Sequence, residues 1–193
     1  MSRKMIAALQ VSLDGFTQGS DQAGEPWVDC WADALALIPD VDAFVQGAGM
    51  FPGYGEFWTA IQNNPQALPP FGRRLPNERE LAYADFASKT PHYVVSTTLE
   101  RVAWPPTARI VRDLAGIRAL KAQPGKNVYV VGGPTLVTNL LSDGLLDELY
   151  LIVHPLLLGG GRALFEKLAG RRPLHFVNAE PTDAGKVVLR YRT

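Results

Sequence analysis

Three short and largely apolar segments constrain the fold of this chain more than any other feature. Residues 5–11 read MIAALQV, residues 128–131 read VYVV and residues 149–153 read LYLIV. Segments of this length and composition are typical of strands that are buried on both faces, as in parallel sheets covered by helices. The pattern therefore predicts an α/β protein in which residues 5–11 form a central strand.

The rest of the chain supplies helices and further strands for the same sheet. Apolar residues recur at helical spacing in residues 29–38, 78–87, 113–122 and 135–141, and strand-like runs occupy residues 42–46, 92–96 and 109–112. Two final strands are joined around residues 183–185, which read DAG and predict a hairpin turn. We expect a single domain over residues 1–193, with a mostly parallel central sheet, helices on both faces and a C-terminal antiparallel hairpin.

Two segments do not follow this alternation. Residues 47–58, GAGMFPGYGEFW, contain too much glycine to form one regular element throughout. Residues 63–77 carry four prolines and predict a surface loop that could cover a binding site.

The composition limits the binding partners and the cellular compartment that are expected for this protein. Because 19 basic residues balance 19 acidic ones, the chain has no net charge to attract polyanions or anionic membranes, and neither nucleic acid nor a membrane is expected as a partner. Cys30 is the single cysteine, which excludes an internal disulfide and suits a reducing cytoplasm. The first apolar run is interrupted at Gln10, too early for a secretory signal, so a cytoplasmic protein is predicted.

The segment VYVVGGPTLV, residues 128–137, turns from a strand into a helix through two glycines. Such a turn brings free backbone N–H groups and the positive end of a helix dipole together, where a phosphate can bind. The same residues also form an ordinary tight corner, and the glycine pair alone does not decide between the two. A Rossmann fingerprint, a P-loop and a G-x-S-x-G elbow are missing, and the three histidines lack metal-ligand spacing, so no metal site is predicted.

Five segments together resemble the dihydrofolate-reductase-like family in order and spacing. They are MIAALQVSLDGF, FVQGAGMF, HYVVSTTL, VYVVGGPTLVTNLL and LLDELYLIVHPLLLGGGRALF, and the resemblance covers nearly the whole chain. Within the family, the chain is most similar to the branch that includes the reductase domain of the bifunctional riboflavin-biosynthesis deaminase-reductase. The zinc-deaminase signature, H-x-E with P-C-x-x-C, is absent, so the deaminase half is not expected.

The resemblance implies an NADPH-dependent oxidoreductase that forms a homodimer. Its substrate would be a small heterocyclic or carbonyl compound. The reductase would be of the 5-amino-6-(5-phosphoribosylamino)uracil reductase type. The nicotinamide of such an enzyme carries the hydride, while the protein supplies orientation and a dry pocket. Two alternatives stay open, namely dihydrofolate reductase activity and a non-catalytic protein that binds a nucleotide or another ligand on the same fold.

The resemblance also assigns cofactor-binding positions. The pyrophosphate-binding turn corresponds to Gly132, Gly133, Pro134, Thr135 and Leu136. A second phosphate-binding turn corresponds to Gly47, Ala48, Gly49, Met50 and Phe51. The strand end that meets the adenosine ribose and its 2′-phosphate corresponds to Ser96 and Thr97, and the strand beside the nicotinamide to Ala7 and Ala8.

The second phosphate turn departs from the family pattern. Family members carry Gly-Arg-x-Thr where this chain has GAGM in residues 47–50, and a basic residue where it has Thr97. Since neither alanine nor threonine replaces the planar charged fork of arginine, the choice between NADPH and NADH stays open, as does a flavin or a deazaflavin. Arg73, Arg74 and Arg101 are the candidates to restore a charge from the loops.

Proton delivery and substrate binding are assigned to four residues. Asp14 of the SLDG segment follows the first strand, and a carboxyl group whose pKa is raised in an apolar pocket can donate the proton that hydride transfer requires. The alternative is that Asp14 and Gly15 only form a turn. Trp27, Asp33 and Phe51 are expected to contact the substrate, with a solvated helix face as the alternative for Asp33.

Overall fold

The fold is an α/β arrangement in which most strands join one sheet. The structure is a computed structural model that describes residues 3–20, 27–50, 53–102 and 104–193. The strands are β1 (Met5–Ser12), β2 (Phe16–Gln18), β3 (Val41–Gly47), β4 (His92–Val95), β5 (Ala108–Val111), β6 (Asn127–Gly132), β7 (Glu148–His154), β8 (Arg162–Ala163), β9 (His175–Pro181) and β10 (Val187–Arg192). The helices are α1 (Asp33–Ala36), α2 (Gly53–Asn63), α3 (Glu78–Lys89), α4 (Leu114–Ala122) and α5 (Pro134–Ser142), and a short 3₁₀ helix covers Ala48–Met50.

Eight strands form the main sheet in the order β5, β4, β3, β6, β1, β7, β10, β9. Every pair from β5 to β7 is parallel, whereas β10 is antiparallel to both β7 and β9. Strands β2 and β8 form a separate antiparallel ribbon. The predicted mostly parallel sheet, its C-terminal antiparallel hairpin and the central position of β1 are confirmed.

The central strand β1 is buried along its whole length because its side chains alternate between two apolar cores. Met5, Ala7 and Leu9 belong to the core that α4 and α5 cover. Ile6 and Ala8 belong to the core on the opposite face, which α2 and α3 cover. Helices therefore pack on both faces, as predicted, and the carboxyl ends of the parallel strands meet at one edge.

The helix predicted over residues 29–38 is mostly wrong, because only Asp33–Ala36 is helical there. The carbonyl oxygen of Cys30 accepts a hydrogen bond from the side chain of Gln10 at 2.9 Å, in place of a helical N–H. Ala32, at the N-cap, has no side-chain oxygen that could bond the first turn. The helix is therefore confined to a single turn.

The glycine-rich segment contains both the 3₁₀ helix and the start of α2. Tyr54, Trp58 and Ile61 are buried on one face of α2, so packing of this apolar stripe outweighs the low helix propensity of its glycines. Residues 64–77 form the irregular loop that their prolines predict. None of the helices in the described parts of the chain is long and apolar enough to cross a membrane.

Candidate active site

A cavity of about 430 Å³ opens at the carboxyl ends of β1 and β6. This is the edge of an open α/β sheet at which ligands usually bind. Ala8 and Gln10 line the cavity from β1, and Tyr129 and Val131 line it from β6. Residues two apart on a strand share a face, so each strand presents two neighbouring side chains to the same space.

Aromatic side chains of α2 and α3 form the wall that faces these strands. Phe57 and Trp58 meet edge to face with ring centroids 4.8 Å apart, and Trp58 stacks on Tyr83 at 4.3 Å. Trp31 and Phe71 also line the cavity, although 50% and 71% of their surfaces are exposed. Exposed aromatic rings beside a cavity suit a flat ligand, because stacking would remove their apolar surface from water.

Tyr83, Tyr54 and His92 form a directed chain of hydrogen bonds within this wall. His92 Nδ1 lies 2.8 Å from the carbonyl oxygen of Thr90, which only accepts, so this nitrogen carries the proton. Burial lowers the pKa of His92 to about 4, so the ring is neutral and its Nε2 accepts from the Tyr54 hydroxyl at 3.2 Å. Tyr54 in turn accepts from the Tyr83 hydroxyl at 2.8 Å. Both tyrosine protons are therefore used inside the protein.

Gln10 is held with its carboxamide in one orientation. Its Nε2 donates to the carbonyl oxygen of Cys30 at 2.9 Å, and its Oε1 accepts from Nε2 of the buried His154 at 2.7 Å. Burial and the charge of Lys186 lower the pKa of His154, which favours the neutral ring. The cavity-facing end of β1 is therefore fixed by side-chain contacts on both sides of the amide.

The glycine turn lies at another part of the same cavity. Gly132 and Gly133 have φ values of +147° and +83°, which residues with a side chain rarely adopt, and Pro134 begins α5. A Cβ on Gly132 would lie 2.8 Å from the sulfur of Met50, whereas nothing lies within 4 Å of the corresponding position on Gly133. The turn therefore leaves open space at the positive end of a helix, as a phosphate requires.

Arg162 supplies a cation beside this turn. Its Nη2 donates to Oγ1 of Thr135 at 2.8 Å, and its carbonyl oxygen accepts from the hydroxyl of Thr17 at 3.1 Å. The carboxylate of Glu166 lies 3.9 Å from Arg162 Nε, too far for a direct hydrogen bond. The guanidinium, a helix N-terminus and a threonine hydroxyl therefore meet at one place, a combination that binds phosphate oxygens.

The charge near the turn comes from a residue that the sequence did not single out. Arg73, Arg74 and Arg101 were the candidates, but Arg74 is bound to Glu80 at 2.7 Å and none of the three lines this cavity. Arg162 lies in the GGGRALF segment, and it reaches Thr135 because β8 pairs with β2. The feature of the sequence that could have identified Arg162 is its position directly after three glycines.

The RibD C-terminal domain family model matches residues 3–188 of the chain. The chain belongs to the RibD C-terminal domain family. It is 30% identical to the uncharacterized protein YyaP of Bacillus subtilis (strain 168) over 194 residues, which cover 98% of this chain and 94% of that protein.

Two solved structures show the same fold at low identity. A diaminohydroxyphosphoribosylaminopyrimidine deaminase/5-amino-6-(5-phosphoribosylamino)uracil reductase of Thermotoga maritima is 15% identical, with a TM-score of 0.59 over 99% of this chain and 56% of that chain. The dihydrofolate reductase of Enterococcus faecalis, solved in complex with NADP(H), is 15% identical, with a TM-score of 0.59 over 100% of this chain and 96% of that chain. The dihydrofolate-reductase-like fold and the RibD branch are confirmed.

The second predicted phosphate turn of this RibD-type chain brings no charge to the cavity. Gly47 packs near Leu136, whose Cβ lies 3.6 Å from the Cβ position of the glycine. Ala48 and Gly49 lie in the 3₁₀ helix, and Met50 lines the cavity. Phe51 lies outside the described residues, so its predicted contact with substrate stays a prediction.

Ser96 and Thr97 lie away from the lining of the cavity. The Ser96 hydroxyl accepts hydrogen bonds from the backbone N–H of Leu99 at 2.9 Å and of Thr98 at 3.2 Å. Thr97 is exposed. Ser96 thus stabilises the turn after β4, and a role of either residue at a nucleotide ribose stays a prediction.

The structure corrects the expected pKa of Asp14. Its carboxylate accepts hydrogen bonds from the Ser12 hydroxyl at 2.6 Å and from the N–H groups of Gly159 and Leu158 at 2.7 and 3.1 Å. These bonds, that of Ser12 first, lower the pKa of Asp14, so the predicted rise is wrong. Asp14 does not line the cavity, and its contacts hold the loop after β7 against the SLDG turn.

Asp33 and Trp27 also lie outside the lining of the cavity. Asp33 forms ion pairs with Lys186 and Arg79, each at 3.1 Å, and so its charge is already balanced. Trp27 packs edge to face on His154 with ring centroids 4.9 Å apart. Contact of Asp33 or Trp27 with a substrate therefore stays a prediction, and both side chains lie beside neighbouring pockets. Among residues 3–20, 27–50, 53–102 and 104–193, no cluster of histidine, cysteine or acidic side chains is suited to a metal ion.

Proposed function

We propose that this protein is a reductase that binds NADPH and reduces a small heterocyclic or carbonyl compound, as the riboflavin-pathway reductases of its family do. One observation carries the proposal. A single cavity extends from Ala8 and Gln10, at the end of β1, to Gly133 and Arg162, at the glycine turn. An extended nucleotide with a reactive ring at one end and phosphates at the other needs both features together.

The residues present suit a nicotinamide nucleotide. The open helix end at Gly133 and the guanidinium of Arg162 would bind the pyrophosphate through hydrogen bonds and charge. The rigid strand at Gln10 would orient the nicotinamide ring, and the aromatic wall would keep water out of the cavity. The bound nicotinamide would supply the hydride. The proposal includes the cytoplasmic homodimer that the resemblance implies.

Dihydrofolate reductase activity is the weaker alternative. A pterin ring has N–H groups, and an unpaired carboxylate would have to accept hydrogen bonds from them. Asp33, the carboxylate expected for this purpose, is paired with Lys186 and Arg79 and does not line the cavity. An absorbance assay with dihydrofolate and NADPH should therefore show no turnover above that of a Gly133→Ala control.

Replacing Gly133 by alanine is expected to raise the Kd for NADPH about 30-fold, because the new Cβ would occupy the open space at the start of α5. The φ of +83° also disfavours any residue with a side chain. Nicotinamide fluorescence, followed during titration of the folded variant and the wild-type protein, measures the change. The same titration with NADH establishes which nucleotide is preferred.

Gly144 offers a matched control at the other end of the same helix. It has a φ of +65°, and nothing lies within 4 Å of its Cβ position. Gly144→Ala therefore introduces a comparable backbone strain far from the cavity and should leave the Kd unchanged. Equal weakening by both variants would contradict the phosphate assignment. Failure of the wild-type protein to bind either nucleotide would contradict the proposed cofactor.

Replacing Arg162 by glutamine is expected to weaken NADPH binding about tenfold and to reduce its dependence on salt, because a charge-assisted contact to phosphate is lost. Titrations at low and high ionic strength measure both effects. Arg118→Gln is the control, since this arginine is exposed and paired with Asp143 at 2.7 Å. An unchanged Kd in the Arg162 variant would show that another group binds the phosphates.

A further inference from the structure

The hydroxyl group of Tyr129 is accessible from the cavity and forms no hydrogen bond with a described residue. Tyr129 lines the cavity, and only 3% of its surface is exposed. Its hydroxyl makes no hydrogen bond to a described residue, whereas the protons of Tyr54 and Tyr83 are both engaged. A hydroxyl that opens into a cavity and has no partner among the described residues is available to donate to an acceptor atom of a ligand.

Tyr129 remains a donor at every physiological pH. Burial, together with the neighbouring Tyr83, raises the pKa of Tyr129 well above that of a free phenol. The side chain is held by the core, since its ring packs against Phe44 with centroids 5.7 Å apart. A rigid, protonated hydroxyl can hydrogen-bond a carbonyl oxygen or an unprotonated ring nitrogen.

The described lining of the cavity carries one charged side chain. This is Arg162, which lies at the glycine turn and is assigned to the phosphates of the nucleotide. Gln10 already uses both ends of its amide. Of the two arginines in the neighbouring cavity, Arg74 is bound to Glu80 and Arg73 also takes part in an interaction. An anionic group buried here without a partner would be strongly disfavoured. If Arg162 binds the nucleotide, the phosphate of 5-amino-6-(5-phosphoribosylamino)uracil has no cationic partner in the described lining of this cavity.

Aromatic surface dominates the same region. Phe57, Trp58 and Tyr83 are packed against one another, and the exposed rings of Trp31 and Phe71 complete the lining. Phe71 has a φ of +63°, which bulky residues seldom adopt outside functional sites. A flat ring is the ligand shape that covers such surfaces best.

We propose that the substrate is an uncharged, flat ring compound whose carbonyl oxygen or ring nitrogen accepts a hydrogen bond from Tyr129. The proposal rests on the reductase function and narrows its substrate class. Tyr129 touches the substrate directly and fixes the ring in the cavity, while Arg162 and the glycine turn serve the phosphates of the nucleotide.

Three probes of one ring size test this assignment by calorimetry with the full chain and no added nucleotide. Coumarin is flat and uncharged and has a carbonyl group, coumarin-3-carboxylate adds a negative charge, and 2H-chromene lacks the carbonyl group. The wild-type protein should bind coumarin at least about tenfold more tightly than the carboxylate. Tyr129→Phe should weaken coumarin binding about fivefold and leave 2H-chromene binding unchanged, because only the hydrogen bond is lost.

Two controls distinguish this role from a structural one. Tyr93→Phe changes a tyrosine of β4 that does not line the cavity, and it should leave all three affinities unchanged. Thermal unfolding of Tyr129→Phe without ligand should occur at or above the wild-type temperature, because the hydroxyl has no internal partner to lose. A marked fall in that temperature would overturn the premise.

Three further results of the calorimetry would contradict the proposed substrate class. Tighter binding of the carboxylate than of coumarin, absence of coumarin binding, or equal weakening of coumarin and 2H-chromene in Tyr129→Phe would overturn it. Because no nucleotide is present, coumarin binding alongside failed NADPH binding would contradict only the reductase function. NADPH binding without coumarin binding would contradict only the substrate class.

Discussion

Replacing Lys186 by methionine is expected to lower the free energy of unfolding by about 3 kcal/mol, because two carboxylates lose a buried cation. Lys186 Nζ lies 2.5 Å from Asp29 and 3.1 Å from Asp33, and its side chain is 6% exposed. Burial alone would lower the pKa of Lys186, but hydrogen bonds and charge from the two aspartates outweigh it and raise the pKa. Methionine keeps most of the buried aliphatic side chain, so the change in unfolding free energy measured in urea reports mainly the loss of the charge.

Lys89→Met is the matched control for this experiment. Lys89 pairs with Asp85 at 2.6 Å on an exposed face of α3, where both side chains are about two-thirds exposed or more. Solvent-exposed pairs of this kind contribute less than about 0.5 kcal/mol. A similar small effect of both substitutions would show that the Lys186 network does not stabilise the fold.

Acidification is expected to destabilise the protein through His92, by about 3 kcal/mol between pH 6.5 and pH 4. The unfolded chain binds a proton near pH 6.5, whereas burial lowers the pKa of His92 in the folded protein to about 4. Within this interval the unfolded state holds the extra proton, so the stability that is fully present above pH 6.5 is lost as the pH falls. The slope should approach about 1.4 kcal/mol per pH unit.

A comparison of the wild-type protein with His92→Gln separates the contribution of His92 to the pH dependence of stability from that of the carboxylates. Glutamine does not titrate, yet its carbonyl oxygen can accept from Tyr54 as the imidazole nitrogen does. The difference in unfolding free energy between the two proteins should shrink by about 3 kcal/mol from pH 6.5 to pH 4. A difference that stays constant over this range would mean that His92 is not buried in its neutral form.

The elements that the sequence predicted well are those whose pattern is local. Largely apolar runs of four to seven residues identified β1, β6 and β7, because strands buried on both faces contain few polar residues. Gly132 and Gly133 indicated a sharp strand-to-helix turn, and both adopt positive φ values. The predicted helix over residues 29–38 failed because a contact with Gln10, about twenty residues away, engages the backbone of Cys30.

The cavity itself depends on contacts that no local pattern contains. Arg162 approaches the glycine turn because the ribbon of β2 and β8 joins residues 145 positions apart. Lys186 forms an ion pair with Asp33, the predicted substrate carboxylate, although the two residues are 153 positions apart. The Tyr129 hydroxyl has no partner among the described residues, because its side chain lines the cavity and Tyr54 is paired with its other neighbours.

The sequence by itself determined the parallel core of the sheet and the sharp glycine turn, because hydrophobic periodicity and backbone freedom are properties of short segments. The family was identified from the resemblance of five segments in order and spacing. Only the tertiary structure decided which charges remain available and which are paired. Side-chain pairing depends on the distances between elements far apart in the chain, and small differences in packing decide it. For that reason only the structure shows that Asp14 and Asp33 already have partners and that Arg162 and Tyr129 line the cavity.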